Sequence, residues 1–258
     1  MFVDTHCHLD DAKLIDNIEE IVREFRAANV GIVINMGCDA ATSEIVKSQA
    51  ERFDGVYFAA GIHPSDVKGA TEKDLDEIAA LFTHPKCVAV GEIGLDYYRD
   101  TSFKDKQKEF FVRQIALAKK AGLPVNVHVR DAMGDALEIL KANRENLTNG
   151  GVMHCYSGSV ETAKELIKLG FYISFGGTLT FKNARTAVEV AAYVPLNRVL
   201  TETDSPYLAP EPVRGSVNSP KNIPHIAARL AEIRGVSVSD IERAAFDNTL
   251  ALFKKIHA

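Results

Sequence analysis

Eight short apolar runs alternate with amphipathic stretches along 258 residues, without a break in the rhythm. The residues best suited to metal chemistry end or directly follow those runs, and no linker, composition shift or low-complexity segment divides the chain. These observations predict an α/β fold in one domain over residues 1–258, a closed (β/α)8 TIM barrel. An open doubly wound sheet would bind its ligand at one switch point between two strands. Here the candidate ligands come from the first, fourth, fifth, sixth and eighth runs, which only a closed ring brings together.

In chain order, the first strand is read at 2–6 (FVDTH), followed by a helix at about 11–28. The runs GIVINM at 31–36 and GVYFAA at 55–60 supply the next two strands, with helices at about 39–52 and 71–83 after them. The fourth strand is read at 87–92 (CVAVGE), where alternation places Val88, Val90 and Glu92 on one face. The helix at about 103–121 shows its period well: Phe103, Phe110, Phe111, Gln114, Leu117 and Ala118 fall largely on one stripe, with Lys104, Lys106, Lys108 and Lys119 mostly off it. Strands at 124–129 (PVNVHV), 151–155 (GVMHC), 171–175 (FYISF) and 198–203 (RVLTET) complete the set. Their helices are read at about 131–145, 160–169, 183–192 and 221–235, and a further one at about 237–255 closes the chain. The Pro- and Gly-rich piece 204–220 follows the last strand directly and is read as an active-site loop.

His6 and His8 stand two apart on a strand, so both imidazoles share a face and Cys7 takes the other. Two neutral imidazoles on one face make half of a divalent-metal site. Glu92, His128, His154 and Asp204 extend the set from other strand ends. Any one strand-end histidine is as readily a buried imidazole bonded to a carbonyl; six potential ligands at one end of a barrel point to metal. Glu202, two residues before Asp204, also points inward and is read as orienting a ligating histidine or pairing with a cation. The four cysteines form no C-x-x-C pair and are read as reduced structural thiols.

The formal net charge is −5 and the sequence pI about 5.9. That argues against gripping long duplex nucleic acid through a broad basic face. It leaves room for an enzyme that takes one strand end into a metal-lined pocket, where the cations supply the positive charge. Strand-like sequence begins at residue 2 and no apolar run reaches membrane-spanning length, so a cytoplasmic protein is expected, with no membrane association and no obligate protein partner.

VDTHCHLD at 3–10, GIHP at 61–64, GEIGLDYY at 91–98, PVNVHVRDA at 124–132, HCYSGS at 154–159 and TETDSPYLAP at 201–210 resemble, in order, the motifs of the TatD family of metal-dependent deoxyribonucleases. The resemblance runs from residue 3 to about residue 222. It implies a TIM-barrel hydrolase that cuts phosphodiester bonds of DNA, with RNA left open, as a 3′-5′ exonuclease on single strands or strand ends. It places the metal ligands on His6, His8, Glu92, His128, His154 and Asp204: His6, His8 and Asp204 on one divalent ion, His128 and His154 on a second, and Glu92 between them. The oxygen-and-imidazole set suits Mg2+, Mn2+ or Zn2+, and the resemblance favours Mg2+.

Catalytic roles are expected for Glu92, for Asp204 as acceptor of the attacking water's proton, and for His63 at the scissile phosphate or leaving oxygen; the other reading of His63 is a turn histidine held by Pro64. Substrate contacts are expected at Arg130, Tyr156, Lys182 and Arg214; Arg130 otherwise caps the next helix or pairs with Asp131, and Lys182 and Arg214 are otherwise surface charges. Many family members carry a basic residue after the glycine of the last loop. Here Ser216 stands in that place, which weakens any phosphate contact there unless nearby Lys221 compensates. The alternative reading is a hydrolase of another bond on the same two-ion site, a D-aminoacyl-tRNA deacylase or an amide hydrolase. Superfamily members that cut C–N bonds often bridge their ions with a carbamylated lysine where Glu92 stands, which leans away from the amide hydrolase only. A non-catalytic barrel would show a lost ligand, and none is lost.

Overall fold

Parallel strands adjacent in sequence need a crossover of a dozen or more residues, and a helix that packs back on the sheet supplies it. The computed structural model describes residues 1–98 and 100–257. It contains β1 (Phe2–Cys7), β2 (Val30–Met36), β3 (Val56–Ala60), β4 (Cys87–Asp96), β5 (Val125–Arg130), β6 (Gly151–Met153), β7 (Phe171–Phe175) and β8 (Val199–Thr201) in one parallel sheet, paired in sequence order. The helices are α1 (Ile18–Ala27), α2 (Ala40–Arg52), α3 (Glu72–Leu81), α4 (Lys104–Ala121), α5 (Met133–Ala142), α6 (Val160–Lys168), α7 (Arg185–Tyr193), α8 (Ile223–Arg234) and α9 (Val238–Leu252). The ring closes between β8 and β1. Thr5 Oγ1 donates to the Thr201 carbonyl at 3.0 Å, Thr201 Oγ1 to the Val3 carbonyl at 2.7 Å, and Cys7 bridges Ser205.

Strands buried on both faces read as nearly continuous apolar runs, and two cores account for them. One fills the space between sheet and helices, with Phe25, Phe58, Phe111, Phe171 and Phe175 among its largest members. The other fills the barrel with Val3, Ile32, Ile34, Val88, Val152 and Leu200, joined by Leu252, Phe253 and Ile256 from the chain's end. The segment after α9 therefore stops the N-terminal end of the barrel. Lys255 Nζ pins it there, donating to the carbonyls of Phe82 at 2.7 Å and His84 at 3.0 Å, just before β4. With the lower barrel packed by apolar side chains, polar groups collect at the C-terminal mouth.

Three expectations are corrected. The row Val88, Val90, Glu92 does not exist: Val88 and Ala89 belong to the inner core and Val90 to the outer one. The pairing of β4 with β5 slips between Val90 and Ile93, which resets the pleat so that Glu92 still reaches the mouth. β4 also runs to Asp96, four residues beyond its expected end. Gly94 makes that extension possible, because a Cβ there (φ +140°) would stand 2.0 Å from the His128 carbonyl oxygen. Finally, α1 starts at Ile18 after a short 3-10 turn at Ile15–Asn17, not at residue 11.

The C-terminal stopper predicts that Phe253→Ala lowers the free energy of unfolding by about 3–5 kcal/mol, as for a fully buried aromatic ring. Urea melts of the two proteins measure it; a loss under about 1 kcal/mol would mean that the inner core does not depend on the chain's end.

Candidate metal centre

The mouth gathers five histidines and four carboxylates from six strand ends. Pairing of β1 with β2 slips between Asp4 and Cys7. His6 and His8 both turn into the mouth, while Cys7 lies outward with its thiol toward the Ile34 carbonyl. Backbone bonds from Asp204 to the His6 carbonyl (2.9 Å) and from His8 to the Ser205 carbonyl (2.8 Å) lock β1 to the loop after β8. Buried Asp4 reinforces the joint by accepting from the backbone and hydroxyl of Thr203; burial pushes its carboxyl up to about 7, against those bonds.

Four donor atoms form a compact cage. His6 Nε2 and His8 Nε2 are 3.2 Å apart. Glu92 Oε2 lies 3.4 and 3.6 Å from them, and Asp204 Oδ1 3.8 and 3.5 Å. A tetrahedral ion with ligand bonds near 2.1 Å holds its donors about 3.4 Å apart, close to these five separations, and His6, His8 and Glu92 form a group that could hold one ion. Glu92 Oε1 faces the other way, 3.5 Å from His154 Nε2, 3.6 Å from His63 Nε2 and 2.7 Å from His128 Nδ1. Here the fit is partial. The Glu92–His154 spacing matches that of the first cage, whereas His128 is hydrogen-bonded between Glu92 and Asp96 Oδ2, the latter at 3.2 Å.

The groups behind the cage aim its lone pairs. His6 Nδ1 lies 3.1 Å from buried Asn126 Oδ1, which fixes the proton on Nδ1 and leaves Nε2 free toward the cage. Glu202 Oε1 lies 3.1 Å from His154 Nδ1 without hydrogen-bond alignment and accepts the Cys155 backbone N–H at 2.5 Å. It acts on His154 chiefly through its charge. The Ser65 backbone donates to His63 Nδ1 at 3.1 Å, so His63 keeps its proton on Nε2, facing Glu92. Burial holds His63 neutral, down at about 3. Burial likewise lowers His6. Burial would lower His154 too, but the charges of Glu202, Glu92 and Asp204 outweigh it and raise it to about 9. His128 is raised, its burial overcome by bonds to Asp96 and Glu92. Glu92 stays well below the usual carboxylate range because the surrounding histidines outweigh its own burial.

The substrate contacts expected from sequence separate into three groups. Tyr156 is 5% exposed, and its hydroxyl donates to the Ser159 carbonyl at 2.8 Å, bracing the turn into α6. Arg130 reaches the rim and stacks on Tyr98, its Cζ 3.6 Å from the ring centroid. Arg214 stacks on Phe181 at 4.0 Å and lies 3.8 Å from Glu211, with exposed Lys182 next along the chain. Lys221 does not compensate for Ser216, since it pairs with Glu24 of α1 at 2.8 Å.

Sequence reasoning missed Asp96, which shares the face of Glu92 four residues further on and holds His128. It also missed two glutamines seven apart on α4. Gln107 clasps the backbone of Asp96, donating to its carbonyl and accepting its N–H at 2.9 Å each. Gln114 does the same for Ile62, next to His63, at 3.1 and 2.7 Å. The place of Gln114 on an otherwise apolar stripe was the available signal. Asn35 and Gln49 clasp Leu9, next to His8, in the same way, at 2.8 and 3.1 Å. Cys38, read as structural, stands beside the site, its Sγ 3.8 Å from His8 Nδ1.

A family model described as TatD related DNase matches residues 3–254. The metal-dependent hydrolase YabD of Bacillus subtilis (strain 168) is 42% identical over 254 residues, covering 98% of this chain and 99% of that protein. The metal-dependent hydrolase YcfH of Escherichia coli (strain K12) is 38% identical over 255 residues, covering 97% and 95%. The crystal structure of YjjV, a TatD homologue from Escherichia coli K12, matches with a TM-score of 0.94 at 32% identity over 98% of each chain.

The charge state of His154 sets a pH dependence. Raised from 6.5 to about 9, it carries a proton in the metal-free protein that an ion must displace from Nε2. Affinity at that position is expected to rise roughly tenfold per pH unit up to about pH 9, with release of about one proton. The same shift stabilises the metal-free fold below pH 6.5, and that contribution fades as pH rises through 9. Calorimetric titration with Mn2+ in buffers of different ionisation enthalpy measures the protons; pH-independent affinity without proton release would contradict the assignment.

Proposed function

The chain belongs to the TatD family of metal-dependent hydrolases, and from that membership and the shape of its mouth we propose that it hydrolyses phosphodiester bonds of DNA, and of RNA as a second substrate. The proposed mode is 3′-5′ shortening of single strands or strand ends with two divalent ions, Mg2+ before Mn2+ or Zn2+. One observation carries the reading: a buried carboxylate, Glu92, turns one oxygen to His6 and His8 and the other to His128 and His154. A single carboxylate placed between two imidazole pairs suits two neighbouring cations, whose mutual repulsion it offsets.

When bound, such ions supply Lewis acidity that acidifies water and stabilises charge on phosphoryl oxygens. In the proposed chemistry His6, His8 and Asp204 hold one ion, His128 and His154 the other, and Glu92 joins them. Asp204 accepts the proton of the attacking water. Neutral His63 presents its Nε2–H to the leaving oxygen as a hydrogen-bond donor, and solvent water supplies the proton that this oxygen takes up. Asn126 and Glu202 keep the imidazoles of His6 and His154 turned to the centre, and Gln114 keeps His63 in reach. Arg130, Lys182 and Arg214 stand at the rim, where they meet phosphates on either side of the scissile bond. The acidic net charge and the absence of a cation at Ser216 favour single strands and ends over long duplexes.

The test is a panel of linear and circular single-stranded DNA, duplex DNA, RNA, D-aminoacyl-tRNA and small amides, each with Mg2+, Mn2+ and Zn2+. Linear strands are expected to shorten from the 3′ end, closed circles to resist, and activity to vanish after exhaustive EDTA treatment. Rapid nicking of circles, or full activity without metal, would overturn the reading.

A further inference from the structure

We propose that Tyr98, backed by Arg130, is a nucleobase-stacking subsite about one nucleotide from the metal centre, which makes an unpaired base next to the scissile phosphate part of what the protein recognises. This rests on the nucleic-acid reading above.

The two tyrosines that follow Asp96 differ. Tyr97 is half-buried, its hydroxyl donating to Asp135 at 2.7 Å and its ring lying 4.2 Å under Lys104 Nζ. Tyr98 is 58% exposed. Among the described residues its hydroxyl has no hydrogen-bond partner. An aromatic ring left in water at the rim of a polar site is unused apolar surface. It is nevertheless held in place. The Tyr98 N–H donates to Asp96 Oδ1 at 2.9 Å, and the other oxygen of the same carboxylate holds His128 Nε2. Arg130 Cζ stands over the ring, 3.6 Å from its centroid, and among the described residues no carboxylate comes within 4.0 Å of its guanidinium. Stacked this way, the guanidinium keeps its planar fork of N–H donors for a phosphate.

The register sets the distance. Asp96 pairs with Arg130 across β4 and β5, and Arg130 is two residues beyond His128. Two residues of strand span roughly 6.6 Å, about one nucleotide along an extended single strand. A phosphate at the metal centre thus brings a neighbouring base to the Tyr98 ring and a neighbouring phosphate to Arg130. Bases stack on aromatic rings regardless of sequence, but only when they are not already stacked in a duplex. A second cation-on-aromatic pair, Arg214 on Phe181, stands across the barrel after β8 and β7, so a strand crossing the mouth meets a similar surface on the far side.

The experiment measures binding of a short fluorescein-labelled phosphorothioate single strand, which resists cleavage, by anisotropy in Mg2+ at several salt concentrations. Tyr98→Ala is expected to weaken binding about tenfold and Tyr98→Phe to restore it. Arg130→Gln is expected to flatten the dependence of log affinity on log salt by about 0.7. A strand of abasic residues is expected to erase the difference between the natural protein and Tyr98→Ala. Equal affinity of Tyr98→Ala and the natural protein for the base-bearing strand would overturn the subsite, as would a difference that persists on the abasic strand. Failure to bind any strand would overturn it together with the nucleic-acid reading. Tyr98-dependent binding without shortening of cleavable strands would sustain the subsite and remove the hydrolytic reading alone.

Discussion

A carboxylate that is 3% exposed is expensive to bury unless positive charge or donors meet both of its oxygens. Glu92 meets that condition with five imidazoles, and the mouth is arranged around it. His6 and His8 come from β1, His63 from the turn after β3, His128 from β5 and His154 from the turn after β6. No helix or hairpin could deliver these five together; a closed ring of parallel strands does so because every strand ends at the same rim. In the metal-free protein a proton on His154 meets part of this charge, and the surrounding carboxylates raise His8 and His128 in the same direction. The proton on His154 thus sits on a donor that suits an ion.

Holding that cluster requires rigid surroundings. The lower barrel is packed with apolar side chains and stopped by Phe253 and Ile256, so strand ends at the mouth rest on a dense core. Around the mouth, side-chain amides supplement the sheet ladder. Gln107, Gln114 and the Asn35–Gln49 pair each clasp a backbone N–H and C=O, at Asp96, Ile62 and Leu9. Each clasped residue is, or adjoins, a residue of the mouth. The helices of the barrel thus position the chemistry as well as covering the sheet.

The strand order and the metal-type residues were legible because both follow from local rules: apolar runs of strand length, and ligand residues at their ends. His6 and His8 could be paired from their spacing alone. The phase of β4 was not legible, since alternation assumes an unbroken pleat and the slip between Val90 and Ile93 breaks it. Asp96 is hidden for the same reason: the strand-like run in the sequence ends at Glu92, and its continuation to Asp96 follows from the slipped pairing. The hydroxyl of Tyr156 bonds the Ser159 carbonyl, a partner that its place beside His154 in the sequence does not reveal. The clasping glutamines are tertiary contacts across 11 to 52 positions, which no local pattern encodes.

The central claim is that the charge of Glu92 joins two ion positions, and Glu92→Gln tests it most directly, because it keeps the volume while removing the charge and half of the acceptor capacity. Elemental metal counting alongside kinetics on the substrate found in the panel is the measurement. The account predicts a folded protein that retains at most one weakly held ion and loses at least about a hundredfold in kcat, as when a major electrostatic element is removed. Two retained ions with near-normal turnover would contradict it.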